Sequence, residues 1–223
     1  MTVLWYKISL MAEIIKHRYV DDLDGSFMLG ELLHEKIFLN TDDKLIRYGM
    51  PKPYEYADIT QELIDPEKIL PTAKYVLRSH LDIIEALDIE LSSQGINIFN
   101  LRGIAKIDEN NLICPPILEV WEESPYNGIP VVVDGAHRLY IARKRGIKIN
   151  CVIISGQISS MLPVLPLTGW QEVMERDEVP SDKRNYHPGF PENWKTHEAY
   201  RTKFPGSTGP RTISNKDISS SRQ

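Results

Sequence analysis

The fold is decided by the stretch Val131-Val132-Val133-Asp134-Gly135-Ala136-His137-Arg138. Three consecutive valines are typical of a buried strand, and Asp-Gly is typical of a tight turn. Leu139 to Arg145 then predicts a short helix, and Gly146 suits the left-handed residue just beyond its end. The region from Ile147 to Ser155, rich in Val and Ile, predicts a second strand. The unit is therefore strand, turn, helix, strand, which predicts an α/β (α+β) fold.

The turn and the first turn of this helix form a candidate phosphate site. Unpaired backbone N–H groups and a partial positive charge at a helix start attract anions, and an Arg guanidinium matches phosphate oxygens. The candidate ligands are Gly135, Ala136, His137 and Arg138. The alternative is structural, since an Asp-Gly turn commonly opens a helix, with Asp capping amides and Gly relieving strain.

The segment Asp134-Gly135-Ala136-His137-Arg138, followed by an Ala-containing helix, resembles the ParB/sulfiredoxin superfamily. The preceding Pro115-Pro116-Ile117-Leu118-Glu119-Val120 is similar to the strand before that motif, so the resemblance runs from residue 113 to 155. In that superfamily the Gly-x-His-Arg segment, or a Gly-Glu-Arg-Arg version of it, holds nucleotide phosphates. The resemblance implies the same role for Gly135, His137 and Arg138.

Differences from the superfamily pattern separate its several activities. Sulfiredoxins have a reactive Cys where this chain has Ala136, which disfavours sulfinic acid reduction. The prolines after Ser155 disfavour the helix-turn-helix domain that follows the motif in plasmid partition proteins. The Asp-Gly-His-His-Arg segment of free serine kinases is the most similar version. It implies phosphoryl transfer to a small hydroxyl-bearing acceptor, with ATP or ADP (or another nucleotide) and magnesium. The alternatives are a non-catalytic nucleotide- or DNA-binding regulatory module and a ParB-like nuclease.

Phosphoryl transfer needs positioning, charge neutralisation and a carboxylate that accepts a proton or holds a metal. Asp134 and Glu119 are the acidic residues on the strands that lead to the site, and we take both as catalytic candidates. Asp134 is preferred because it adjoins the glycine turn.

A second candidate segment is Val179 to Gly189, a polar, turn-rich loop. Lys183 and Arg184 are candidate phosphate ligands here, and Tyr186 could stack on a base. The alternative is that the loop is only a solvated surface segment.

Composition limits the partners. The formal charge of −5 disfavours broad nucleic-acid binding, and the cations Arg143, Lys144 and Arg145 suit the last turn of a helix. The thiols of Cys114 and Cys151 lie in apolar stretches, where Cys behaves as a small buried hydrophobe. No zinc motif, export signal or membrane-spanning run is apparent, so we expect a cytoplasmic protein that does not bind a membrane. The partners that the resemblance implies are a nucleotide and a small-molecule acceptor.

The sequence as a whole is predicted to divide into four regions. These are a helical N-terminal extension over 1–95, a ParB/sulfiredoxin-like core over 96–160, an irregular C-terminal wrap over 161–205, and a flexible tail over 206–223. Within the extension we expect a polar turn from Asp21 to Gly25, a connection over 44–58, and a helix over 79–91 with Ser79 as its cap and Gly95 as its stop. In the wrap we expect a short helix near residues 170–176, with aromatic anchors at Trp170, Trp194 and Tyr200.

Overall fold

The computed structural model describes residues 21–22, 56–103, 105–106, 112–121, 126, 128–158 and 164–186. The two α-helices in this part of the chain are α1 (Arg78–Ser93) and α2 (Ala136–Lys144). The longer strands are β2 (Tyr56–Ile64), β3 (Tyr75–Leu77), β6 (Ile117–Val120), β7 (Pro130–Asp134), β8 (Ile149–Gln157) and β10 (Met174–Arg176). The two-residue strands are β1 (Asp21–Asp22), β4 (Ala105–Lys106), β5 (Leu112–Ile113), β9 (Val164–Leu165) and β11 (Asn185–Tyr186).

A four-stranded mixed sheet in the order β2-β8-β6-β7 forms the centre of the fold. β8 runs parallel to β6 and antiparallel to β2, and β7 is antiparallel to β6. The helix α2 connects β7 to β8. The predicted α/β fold and its unit of strand, turn, helix and strand are confirmed.

Alternate residues of the central strands pack into two separate apolar clusters, as the two-residue side-chain period of a strand requires. Leu118 and Val132 pack with Leu139 and Ile141 of α2 in the first cluster. Ile117, Val131 and Val133 pack with Trp121 in the second. The valine run is therefore buried on both faces, and α2 covers only one of them.

The end of α2 follows its sequence prediction closely. Gly146 has φ +63°, and the N–H of Ile147 returns to the carbonyl of Ala142 at 3.0 Å. This is the left-handed stop that the glycine predicted. The chain then enters β8 two residues later than the expected start at Ile147.

The prediction for residues 56–95 as part of a helical extension outside the core needs correction. β2 pairs with β8 along all nine of its residues, so the expected connection over 44–58 already belongs to the central sheet from Tyr56 onward. Its alternating apolar and polar residues suit an edge strand with one partly buried face. The expected turn at Asp21–Asp22 is a short strand paired with β4. The other residues of the predicted extension before Tyr56 lie outside the described part of the chain.

The helix α1 was predicted with the right stop and the wrong cap. Gly95 has φ +81°, and the N–H of Ile96 bonds to the carbonyl of Leu91, which confirms the stop. The N-cap is Leu77, two residues before the predicted Ser79, and Leu77 makes no side-chain cap bond. The reason lies in a contact with α2, described below.

The described C-terminal residues carry only short elements. Trp170 is buried and its indole N–H donates to the carbonyl of Pro66 at 2.7 Å, which confirms the predicted anchor. The predicted short helix is a 3₁₀ turn (Trp170–Glu172) followed by β10, which pairs in parallel with β3. Trp194, Tyr200 and the tail lie outside the described residues. No helix in the described ranges is long and apolar enough to span a bilayer.

Candidate functional site

The junction between β7 and α2 is built around a glycine that no other residue could replace without strain. Asp134 ends β7, Gly135 is the N-cap of α2 with φ +87°, and Ala136 is the first helical residue. A Cβ atom added to Gly135 would lie 2.7 Å from Cβ and 2.8 Å from Cα of Pro116. Gly135 is therefore required both by its left-handed conformation and by this close approach.

The Arg138 side chain, in the first turn of α2, is only 8% exposed. Its Nη1 atom has no hydrogen-bond partner among the described residues. Its charge acts on the thiols of both Cys114 and Cys151. The guanidinium is therefore held beneath the surface at the strand end, rather than displayed on it.

The pKa of the buried Cys114 thiol depends on the charged groups around this junction. Burial raises the pKa of Cys114 to about 12, while the charge of Arg138 lowers it and that of Asp134 raises it. Burial likewise raises the pKa of Cys151 to about 12. Asp134 is itself 2% exposed, so opposite charges lie around one buried thiol. Both cysteines are buried, as predicted.

His137 contacts the start of α1. Its Nε2 atom accepts a hydrogen bond from the backbone N–H of Leu77 at 3.0 Å. The imidazole that accepts through Nε2 carries its proton on Nδ1. The ring of His80 lies against it, with ring centroids 4.9 Å apart and a 53° tilt. The first turns of the two helices therefore meet at His137.

The three cations at the other end of α2 are all ion-paired. Arg143 Nε lies 2.7 Å from Glu67 Oε1, Lys144 Nζ lies 2.9 Å from Glu175 Oε1, and Arg145 Nη1 lies 2.7 Å from Asp88 Oδ2. Sequence analysis had assigned them to helix stability and solubility rather than to ligand binding. Their pairing neutralises much of the positive charge at this end of α2.

Glu119 of β6 lies on the face of the sheet opposite α2. It is fully buried, and its Oε2 atom accepts a hydrogen bond from the indole of Trp121 at 2.8 Å. Its strand neighbours Leu118 and Val120 pack in the cluster beneath α2, so the Glu119 side chain points to the other face of the sheet. The catalytic roles expected for Glu119 and Asp134 stay predictions.

The loop with Lys183 and Arg184 is held against the segment that leads into β3. The N–H of Lys74 donates to the carbonyl of Lys183 at 3.1 Å, and Lys74 Nζ lies 3.8 Å from Asp182 Oδ2. Arg184 is buried and Tyr186 packs against the second apolar cluster. The end of the predicted loop is thus docked against the rest of the fold. Its ligand roles stay predictions.

Sequence analysis did not predict that two further residues contact the junction. Pro116 was assigned only to the strand resemblance, although it packs directly against Gly135. His80 was assigned only to the predicted helix over 79–91, because nothing in its local sequence indicates a partner 57 residues away. No cluster of three or more His, Cys, Asp or Glu side chains suited to a metal occurs within the described ranges.

A mixed sheet in which a strand enters a helix through Asp-Gly, and the helix returns to the sheet, defines a ParB-like α/β core. The family model of the ParB CE domain matches residues 42–174, which is more than half of the chain. The chain therefore belongs to the ParB CE domain family, and the ParB part of the resemblance is confirmed. No curated protein and no solved structure matches the chain significantly. The likeness to sulfiredoxins and free serine kinases stays a prediction.

Proposed function

We propose that the junction of β7 and α2 is the phosphate-binding site of a ParB-type module that takes a nucleotide such as ATP or ADP. The observation that carries the proposal is the buried Arg138 guanidinium in the first turn of a helix whose N-cap, Gly135, has no side chain to cap the amides. Both features favour an anion at this end of α2.

The charge distribution supports one specific anion over a polyanion. The cations at the C-terminal end of α2 are paired with carboxylates, whereas no acidic residue lies in its first turn. A helix start normally favours Asp or Glu. Its absence here leaves the positive end of the helix dipole available to a phosphate. The DNA-binding and nuclease alternatives lack this support, so we rank them below nucleotide binding.

Phosphoryl transfer to a small hydroxyl-bearing acceptor is the second candidate. Asp134 favours it, because this carboxylate directly precedes the proposed phosphate site. Magnesium commonly uses one or two carboxylates together with substrate phosphates, so Asp134 alone could complete such a site. Bound magnesium would neutralise phosphate charge. In this candidate Asp134 accepts the acceptor's hydroxyl proton or holds the metal.

Calorimetric titration with ATP, ADP, CTP and GTP, with and without magnesium, tests the binding proposal. We expect at least one nucleotide to bind the wild type and Arg138→Ala to abolish that binding. Arg145→Ala is the matched control, because it removes an exposed Arg paired with Asp88. Circular dichroism establishes that both variants are folded. A wild type that binds none of the four, or a folded Arg138→Ala that binds normally, refutes the assignment.

Two further measurements separate the candidate functions. Asp134→Asn, compared with the wild type in a screen of hydroxyl-bearing acceptors for nucleotide-dependent product, is expected to bind nucleotide and to lose turnover. Affinity for duplex DNA, measured against salt concentration, distinguishes a nucleic-acid module, because contacts to several phosphates make affinity fall steeply with added salt. Weak nucleotide binding with steep salt-dependent DNA binding would favour the DNA alternative.

A further inference from the structure

We infer that His137 is a positioning residue, which holds the start of α1 next to the proposed phosphate site. It does so by accepting a hydrogen bond from Leu77 and contributes no positive charge to the site. Its role in ligand binding rests on the proposed function. The hydrogen bond on which it depends does not.

The start of α1 lacks the acceptor that a helix start normally has within its own sequence. In a capping box, a Glu or Gln at the third helical position accepts a hydrogen bond from the N-cap N–H. In α1 the N-cap is Leu77 and the third helical position is His80. The acceptor comes instead from His137, 60 residues further along the chain.

The first part of the segment before α1, residues 70–72, is bonded to the edge of β7. The N–H of Leu70 donates to the carbonyl of Pro130, and the N–H of Val132 donates to the carbonyl of Leu70. Thr72 Oγ1 then donates to the carbonyl of Val132. Residues 75–77 then pair with β10 as strand β3, and the bond from Leu77 to His137 joins the end of this strand to α2.

The same bond determines what the imidazole can offer. An Nε2 atom that accepts from a backbone N–H cannot carry a proton, so His137 is neutral while the bond exists. The imidazole ring also contacts His80 in the first turn of α1. His137 thus holds the two helix starts in register, and Arg138 supplies the positive charge of the motif.

Three substitutions at His137 separate a positioning role from a charged-ligand role. Gln keeps an acceptor without charge, Lys keeps charge without an acceptor, and Ala removes both. We expect His137→Gln to bind ATP within about threefold of the wild type, and His137→Lys and His137→Ala to lose about tenfold or more. The opposite order, with Lys retaining affinity and Gln losing it, overturns the proposal.

Nitrogen-15 NMR tests the contact without any ligand. In the wild type we expect the signal of a neutral His137 that is protonated on Nδ1, and a Leu77 amide signal that moves in His137→Ala and His137→Lys more than in His137→Gln. His80→Ala is the matched control, since it removes the ring contact and leaves the acceptor. A Leu77 amide that does not respond to His137→Ala overturns the positioning role.

The two failures are distinguishable. A wild type that binds none of the four nucleotides, with the expected Leu77 and His137 signals, overturns the proposed phosphate site and supports the contact between the two helix starts. Normal ATP binding in folded His137→Ala, with binding lost in Arg138→Ala, supports the phosphate site and overturns the positioning role.

Discussion

Gly135 lies so close to Pro116 that a Cβ atom on Gly135 would be 2.7 Å from the Cβ of the proline and 2.8 Å from its Cα. Because Pro116 comes directly before β6 and Gly135 directly after β7, this contact fixes how closely the two strand ends approach. The glycine turn is therefore a packing feature of the sheet as well as a candidate phosphate loop.

The contact predicts a large effect of Gly135→Ala. A left-handed backbone costs a non-glycine residue about 1–2 kcal/mol, and displacement of the proline backbone adds to this, so we expect a loss of about 2–4 kcal/mol of unfolding free energy. Urea denaturation measures it. Gly146→Ala is the control, because Gly146 has φ +63° but open space around its Cβ position, and it should lose only about 1 kcal/mol. Equal losses at the two positions would show that the approach to Pro116 is unimportant.

The position of Glu119 predicts that stability and ligand binding respond separately. Glu119→Gln weakens a buried hydrogen bond from Trp121, so we expect a loss of about 1–3 kcal/mol of stability. Nucleotide affinity, measured by calorimetry well below the melting temperature, should not change, because Glu119 faces away from α2. Arg138→Ala provides the comparison, with binding lost. Loss of binding in folded Glu119→Gln would contradict the assignment of Glu119 to the opposite face.

The two buried thiols predict low reactivity and alkaline sensitivity. Burial raises the pKa of Cys114 and Cys151 to about 12, above the ordinary value of 9.0. Each neutral thiol favours the folded state below pH 9, and this contribution is lost as pH rises from 9 towards 12, at most about 1.4 kcal/mol per pH unit for each thiol. Iodoacetamide at pH 8 should modify both cysteines only in urea. The variant with both cysteines changed to Ala should lose stability less steeply between pH 9 and 11, and an equal slope would argue against this cause.

The ion pair between Lys144 of α2 and Glu175 of β10 predicts a change in stability at acid pH. A hydrogen bond from Lys144, at 2.9 Å, lowers the pKa of the Glu175 carboxyl. A lowered pKa contributes stability above the unfolded value of about 4.5, and this contribution is lost as pH falls below it. Glu175→Gln should therefore cost about 0.5 kcal/mol at pH 7 and progressively less as pH falls below 4.5, measured by chemical denaturation. A difference from wild type that stays constant as pH falls would indicate a packing effect instead of charge.

The confirmed parts of the fold depended on local chemistry. The valine run, the left-handed Gly146 and the apolar residues of β8 each have strong intrinsic preferences, so the unit around α2 could be predicted from a short window. The family resemblance rested on that same window. By contrast, β2 is a half-buried strand whose partner lies about 90 residues away. Its first three residues were assigned to a connection and the others to the helical extension.

The sequence by itself determined that a buried strand must turn through Asp134 and Gly135 into a helix with Arg138 in its first turn, because these preferences act between neighbours along the chain. Tertiary structure alone decided that Glu119 faces away from α2, that the loop with Arg184 is docked, and that the N-cap of α1 is Leu77 instead of Ser79. The physical reason is that face, burial and the choice of hydrogen-bond acceptor depend on groups that are distant in sequence. At the start of α1, that acceptor is His137.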